Sequence, residues 1–353
     1  MDLMFNAAGI LQRGRGLTFD DVLMVPRHSQ LSSRRDPSLE TKLTKNYSAN
    51  IPLISSNMDT VTGPEMACAM SKLGGLGILH RFMSPEQQVE DVRQIQKYQT
   101  ENGLPNLVAA SIGVKEEGQK RAELLAAENV QILTIDIAHG DSIMMLETLE
   151  WVRKKYPNID IIAGNVATAE GVRRLIEAGA DAVKVGIGPG SMCTTRIITG
   201  HGVPQLTAVA LCVEEAMKHQ VPVIADGGLK TSGDIVKSLA AGASSAMMGS
   251  LLSGTLETPG EIKGGKKQYR GMASKSAQVS WRGELPQGMT AEGESSYVSC
   301  KGPVSEIVHE LLGGIRSGMT YLGAERVTQM SDQALFMEMS ASGMLESKPH
   351  GVQ

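Results

Sequence analysis

Residues 159–185 read IDIIAGNVATAEGVRRLIEAGADAVKV. A short apolar run, Ile159–Gly164, is followed by an amphipathic segment, Glu170–Ala178, and then by a second apolar run, Ala182–Val185. Short apolar runs joined by a helical segment make a βαβ unit, which lays its two strands side by side in a parallel sheet. The same pattern continues outward in both directions. Toward the N-terminus lie Ile51–Ser55, Leu76–Leu79, Leu107–Ser111 and Ile132–Ile135; toward the C-terminus lie Val221–Ala225 and Ala246–Met248. Further amphipathic segments stand at Val213–Lys218 and Ser232–Ala241. Eight candidate strands, spaced by roughly 20–40 residues, predict an α/β fold closed as a TIM (β/α)8 barrel. An open doubly wound sheet is the alternative.

Composition agrees with this class. Of the 353 residues, 41% are apolar, 20% charged and only 3% aromatic, which suits a parallel sheet covered by helices better than a β-sandwich. The formal net charge of −4 leaves no broad basic surface for nucleic acid, so a phosphorylated ligand needs a local site built from backbone groups. The cysteines, Cys68, Cys193, Cys212 and Cys300, are scattered without metal-ligand spacing and read as reduced thiols of a cytoplasmic protein. No cleavage-site pattern opens the chain, and no apolar run reaches the ~18 residues needed to span a membrane.

Polar residues and glycines gather after several strands: Ser56–Asp59, His139–Asp141, Gly164–Asn165, Gly186–Thr195, Asp226–Gly228 and Gly249–Ser250. In a barrel these loops share one mouth, where active sites sit. Residues 1–50 are expected to cap the opposite end. Residues 252–302, rich in Gly, Ser, Lys and Gln, are expected to form a mobile flap within a single barrel domain spanning residues 1–353, before a last helix from Val304.

Two loops carry the chemistry. Gly186-Ile-Gly-Pro-Gly-Ser-Met-Cys-Thr-Thr-Arg196 exposes backbone groups and presents Cys193 beside two hydroxyls and a cation. A free cysteine is most often a small buried hydrophobe, but this setting makes Cys193 a nucleophile candidate. In Val223-Ile-Ala-Asp-Gly-Gly-Leu229 the strand ends on Asp226, placed either to accept hydrogen bonds from ribose hydroxyls or to cap the next helix. Gly227-Gly228 and Gly249-Ser250 stand after strands seven and eight, a common phosphate site in barrels.

GPGSMCTTR, VIADGG, MMGSLLSGTLETPGE, YRGM and GGIRSGMTYLGA, with LTFDDVLMVPR, NMDTVT and AGNVAT earlier in the chain, resemble the family of IMP dehydrogenase and GMP reductase from about Leu17 to His350. The resemblance implies that Cys193 attacks purine C2, with Thr195 and Glu292 as its catalytic partners. It implies phosphate contacts from Ser191, Gly227, Gly228, Gly249, Ser250 and Tyr269, a ribose contact from Asp226, and nucleotide or base contacts from Met58, Gly271 and Met272. Asp136 and Asn165 resemble residues near the nicotinamide of an NAD(P) cofactor. The carbonyls of Gly188, Gly190 and Cys193 resemble a potassium site, completed in the family by a neighbouring subunit's tail, here Glu346–His350, within a homotetramer.

The family holds two reactions that share a covalent purine–cysteine intermediate. IMP dehydrogenase passes hydride to NAD and hydrolyses the intermediate to XMP, using an Arg-Tyr pair on a mobile flap. GMP reductase forms it by expelling ammonia from GMP and reduces it with NADPH to IMP. The short segment from Gly271 to Gly293, its lack of an Arg-Tyr dipeptide, Asn57, and the absence of CBS modules between Met83 and Pro105 favour the reductase. Gly202–Thr207, Arg316–Met319, the Tyr-Arg-Gly-Met turn and the ESKPH tail look more like the dehydrogenase, and Arg81 stands where many reductases carry Lys. The expectation is an NADPH-dependent GMP reductase acting on GMP; the alternatives are an NAD-dependent IMP dehydrogenase and a non-catalytic purine-nucleotide regulator.

Overall fold

The computed structural model describes residues 3–349, apart from Pro286 and Met289. Eight parallel strands close into a barrel: β1 (Leu53–Ser55), β2 (Leu76–Leu79), β3 (Ala109–Ile112), β4 (Ile132–Asp136), β5 (Asp160–Val166), β6 (Ala182–Val185), β7 (Val223–Asp226) and β8 (Ser245–Met248), with β8 pairing β1. The open-sheet alternative is thereby excluded. Helices α1 (Pro64–Lys72), α2 (Pro85–Glu101), α3 (Lys115–Ala127), α4 (Ile143–Lys155), α5 (Ala169–Glu177), α6 (Gln205–Met217) and α7 (Ser232–Ala240) follow β1 to β7, and α8 (Val304–Leu322) closes the ring. Between β2 and β3 the chain holds only α2 and short connections, so no module is inserted there. No helix among the described residues is long and apolar enough to cross a membrane.

Strand alternation explains how the barrel presents a polar site on an apolar base. Successive side chains point to opposite faces. Ile54, Ile78, Ile132, Ile162, Ala182, Ile224 and Met247 fill one buried interior layer. The residues between them, such as Leu53, Leu133, Ile161, Val183 and Ala225, face outward into the separate core beneath the helices. Two residues further along the same interior faces come His80, Thr134, Lys184 and Asp226. The interior thus turns from apolar to polar in one step toward the strand C-termini.

The N-terminal segment differs from expectation. Only residues 41–49, a small antiparallel pair of Thr41–Lys42 with Ser48–Ala49, plug the barrel bottom, where Leu43 and Ala49 join the interior layer. The preceding residues run along the outside: Thr207 N–H donates to Leu17 O at 3.1 Å and Lys237 Nζ to Phe19 O at 2.7 Å. Strands Met4–Phe5 and Val22–Met24 flank Phe336–Glu338 in a separate three-stranded sheet.

Residues 252–302 are also more structured than their composition suggests. They contain an antiparallel pair, β9 (Lys266–Arg270) and β10 (Ser295–Ser299), and a flap helix, Lys275–Arg282. Two ties anchor this arm. Buried Lys267 donates to Leu256 O and Thr258 O at 2.9 and 2.6 Å. Arg270 forms an ion pair with Asp59 of the β1 loop, both 12% exposed, and donates to Ser276 O of the flap helix at 3.0 Å.

Candidate active site

The strand C-termini open into a cavity of about 340 Å³ lined by loops from around the barrel and by the flap. Every residue singled out above as catalytic, substrate-binding or cofactor-binding lines it, as do Gly188 and Gly190.

Cys193 is half-buried and reduced, at the cavity wall and outside the core. Its Sγ donates to Thr195 Oγ1 at 3.1 Å, and Thr195 Oγ1 donates to Glu292 Oε2 at 2.9 Å. Backbone pairing fixes this chain across 97 residues of sequence. Thr194 N–H donates to Glu292 O at 3.0 Å, Glu294 N–H to Met192 O at 2.8 Å, and Glu292 N–H to Ala273 O at 3.0 Å. Residues 292–294 therefore lie like a strand between the cysteine loop and the turn that follows β9. Glu292 is thus half-buried against the cysteine loop rather than a solvated surface carboxylate. Gly271 N–H donates to Glu294 O at 2.9 Å, so Met272 and Glu292 are carried by two arms of one hairpin.

Beneath the cavity sits a charged cluster whose central residue, Lys184, sequence reading missed. Lys184, buried inside β6, places Nζ 2.7 Å from Asp226 Oδ2 and 3.0 Å from Asp136 Oδ1, and also donates to the side-chain Oδ1 of Asn165. Asn165 Nδ2 donates to Asp226 at 2.9 Å and to Gly186 O at 2.8 Å, and Asn57 Nδ2 donates to Asp136 at 2.7 Å. Burial alone would drive the Lys184 ammonium toward neutrality, but the two carboxylates outweigh it and hold the pKa above the usual lysine range. Burial likewise opposes ionisation of Asp136, yet Lys184, Asn57 and Arg81 together keep its carboxyl below the ordinary value. The signal available in sequence was the single lysine in Ala182-Val-Lys-Val185, which strand alternation points into the barrel. Asp226 does not cap a helix: Thr231 caps α7, in a reciprocal pair with Asp234.

At the β6–β8 side the cavity is shaped for an anion. Gly227 and Gly228 adopt φ of +89° and +76°, backbone that other residues rarely reach, so this loop can turn its amides toward a ligand. A side chain at Gly249 would place Cβ 2.9 Å from the Tyr269 hydroxyl and 3.1 Å from Met58 Sδ. Ser191 Oγ lies 3.3 Å from the Tyr269 hydroxyl. Burial pushes the Tyr269 phenol further up, so it stays a neutral donor. In the loop before Cys193, the Gly190 carbonyl accepts Cys193 N–H at 3.0 Å, whereas those of Gly188 and Cys193 accept no hydrogen bond among the described residues. Such a donor set of carbonyl oxygens fits a hard cation. No cluster of three or more His, Cys, Asp or Glu competes for that role among the described residues. The tail helix Ala341–Glu346 is on the surface, and His350 of the ESKPH tail lies outside the described residues.

Residues 16–350 match the family model for the IMP dehydrogenase / GMP reductase domain. The chain is 43% identical to an inosine-5'-monophosphate dehydrogenase of Cryptosporidium parvum, with 96% of each chain covered. It is 36% identical to one of Nitrosopumilus maritimus, covering 96% of this chain and 98% of the relative. Among solved structures, a GMP reductase variant from Trypanosoma brucei in complex with guanosine 5'-monophosphate superposes with a TM-score of 0.90 at 32% identity, covering 96% of this chain and 98% of that one.

Proposed function

The chain belongs to the IMP dehydrogenase / GMP reductase family of oxidoreductases, and from that premise we propose that it is a GMP reductase, converting GMP to IMP and ammonia with NADPH. The observation that carries this reading is the hydrogen-bonded series Cys193–Thr195–Glu292 on a short flap. It lets the thiol proton pass through the Thr195 hydroxyl to the Glu292 carboxylate as Cys193 Sγ bonds to purine C2. The same proton then returns to the exocyclic amine, which departs as ammonia when the C2–N bond breaks. An amine leaves poorly without such a donor. When bound, the reduced nicotinamide supplies the hydride that goes to C2, and the C2–S bond breaks to release IMP and the thiolate.

The other residues hold the nucleotide for this exchange. Ser191, Gly227, Gly228, Gly249, Ser250 and Tyr269 receive the phosphate, Asp226 the ribose, and Met58, Gly271 and Met272 the base. Asp136 and Asn165 support the nicotinamide side through the Lys184 cluster. The carbonyls of Gly188, Gly190 and Cys193 would hold a potassium ion against the nucleophile loop, with remaining ligands from a neighbouring subunit of a homotetramer. Cytoplasmic localisation accords with the reduced thiols.

The dehydrogenase reading is favoured by one observation: Arg282, at the end of the flap helix, lines the cavity and offers a cation where a water-activating base is needed. The relatives named above as dehydrogenases agree with it. Against it, no tyrosine follows Arg282, whose next residue is Gly283. Covalent chemistry is tested by Cys193→Ala, which should abolish turnover and leave GMP binding within a few-fold, since the ribose contact and every phosphate contact but Ser191 lie on other loops. A residual rate above about a tenth of wild type would refute the nucleophile assignment.

A further inference from the structure

The flap helix has an inner face. Its cap Ser274 and Ala277 are buried, and Gln278 and Trp281 are half-buried, at the i, i+3, i+4, i+7 spacing of one helix side. Lys275, Val279, Ser280 and Arg282 are exposed. Trp281 brings the one aromatic ring to that inner face, and it meets the barrel in a socket of two residues. Its ring lies edge-on to Phe82 of the β2 loop, with centroids 6.3 Å apart and planes at 85°. The Arg121 guanidinium of α3 stands 5.7 Å from its centroid. Beyond Gln278 the helix has no hydrogen bond or ion pair to the barrel among the described residues, so these two contacts hold its free end.

The barrel side of the socket is built in advance. Arg121 is 1% exposed, and all three of its guanidinium nitrogens have partners. Nε donates to Glu117 at 2.9 Å, Nη1 to Gln88 Oε1 at 2.9 Å and Nη2 to Met83 O at 3.0 Å. Gln88, itself fully buried, donates onward to His80 O at 3.0 Å and Ser111 O at 2.9 Å, which ties α2 and α3 to the ends of β2 and β3. Phe82 stacks on His80 at 6.4 Å and 22°, and its N–H donates to His80 Nδ1 at 3.1 Å. With its polar contacts satisfied inside the barrel, Arg121 offers the flap a fixed positive charge for an aromatic face.

The consequence lies in the cavity. Phe82, Met272, Gln278 and Arg282 all line it, and Gln278 Nε2 donates to Met272 O at 2.8 Å. Seating the helix end therefore sets the flap wall of the site, although Trp281 itself lies behind Phe82 and does not line the cavity. A purine bonded to Cys193 through C2 has two fates. Hydride at C2 with cleavage of the C2–S bond gives IMP and the thiolate. Water at C2, passing a proton to sulfur as the same bond breaks, gives XMP and the thiol with no change of oxidation state. We propose that Trp281 is a positioning residue that keeps the flap seated on Phe82 and Arg121, and thereby keeps water from the adduct so that it is reduced. This rests on the reading of the chain as a GMP reductase.

The test counts products. Enzyme is given GMP and NADPH, ammonia is assayed, and IMP and XMP are separated by chromatography. In wild type, IMP should account for the ammonia. An edge-on aromatic pair and a cation–π contact together shift a two-state equilibrium by roughly tenfold, so the ratio of XMP to IMP should rise by about that factor in Trp281→Leu. Trp281→Phe, which keeps a ring in the socket, should restore it. A fold that is merely weakened lowers both products together, so an unchanged ratio in Trp281→Leu overturns the proposal. A second measurement keeps the native flap. Trp151→Phe leaves Trp281 as the one tryptophan of the chain. In its GMP complex, acrylamide should quench Trp281 more strongly once Phe82→Leu is added, and equal quenching would overturn the socket. A wild type that oxidises IMP to XMP refutes the GMP reductase reading and the exclusion of water with it. A wild type that yields IMP alone, beside an unchanged ratio in Trp281→Leu, refutes the role of Trp281 and leaves that reading standing.

Discussion

Removing the ammonium of Lys184 leaves Asp136 and Asp226 half-buried side by side with no lysine between them. In Lys184→Met the side chain keeps its length and apolar stem, so the lost charge dominates. The penalty has a ceiling, because one carboxyl escapes repulsion by taking a proton. From the ordinary Asp value of 3.8, protonation at pH 7 costs about 1.36 × (7 − 3.8) ≈ 4.4 kcal/mol, within the roughly 3–5 kcal/mol expected when one partner of a buried ion pair is deleted. Unfolding entropy of about 2.1 cal/mol/K per residue over 353 residues gives roughly 0.74 kcal/mol/K, so Tm should fall by about 4–6 °C. The pH dependence separates charge from packing. In wild type the depressed pKa of Asp136 stabilises the fold above its unfolded value, and that contribution is lost only as pH falls through the folded value. In the variant the carboxyl's folded pKa is raised, so the penalty grows as pH rises above 3.8. At about pH 5 the ceiling is near 1.6 kcal/mol, and most of the deficit should vanish. Paired thermal melts of wild type and variant at the two pH values measure it. An equal deficit at both would mean that the cost is packing, and would refute the stranded-charge argument.

Three further outcomes are expected. Glu292→Gln should slow ammonia release by roughly 10²–10⁴-fold and the hydride step less, read by comparing GMP turnover with formation of the covalent intermediate from IMP and NADP+; unchanged GMP turnover excludes the relay. Burial pushes the His80 imidazole down to about 4, against Asp59 and with help from Arg121 and Arg270, so its neutral form stabilises the fold above its unfolded value near 6.5. That contribution, about 3 kcal/mol, is lost as pH falls from 6.5 toward 4. His80→Asn keeps an acceptor for Phe82 N–H and should flatten denaturant-measured stability across this window; an unaltered slope would assign it to other groups. The flap should resist proteolysis better with GMP bound, since Glu292 and Met272 both face the ligand cavity, and equal cleavage rates with and without GMP would count against closure over substrate.

The barrel was legible because strand and helix periods differ and the chain repeats the pair eight times. Each expected strand recurs within about three residues, as Ile159–Gly164 does in Asp160–Val166. What was not legible depends on contacts far apart in sequence. The flap looked structureless because its hairpin and helix are held by Asp59–Arg270 and by carbonyl cradles for Lys267, none visible as apolar periodicity. The N-terminal segment was misplaced because Leu17 and Phe19 pack on the outside beside α6 and α7, and a run of apolar residues does not say which surface it will cover. Lys184 was hidden by the apolar run around it, since its meaning depends on two carboxylates delivered by β4 and β7. The site loops were found as glycine-rich strand ends, but the choice of chemistry at Cys193 came from resemblance.

The central claim is that Cys193 and Glu292 serve a reductive deamination, and the absorbance of the reduced nicotinamide tests it most directly. Purified enzyme is offered GMP with NADPH in one cuvette and IMP with NAD+ in another, with potassium present in both. The account predicts that absorbance falls with GMP and NADPH, with one ammonia and one IMP formed per NADPH consumed, and that IMP with NAD+ yields no XMP. Rising absorbance with XMP formation from IMP, and no consumption of NADPH with GMP, would contradict it and make the chain a dehydrogenase.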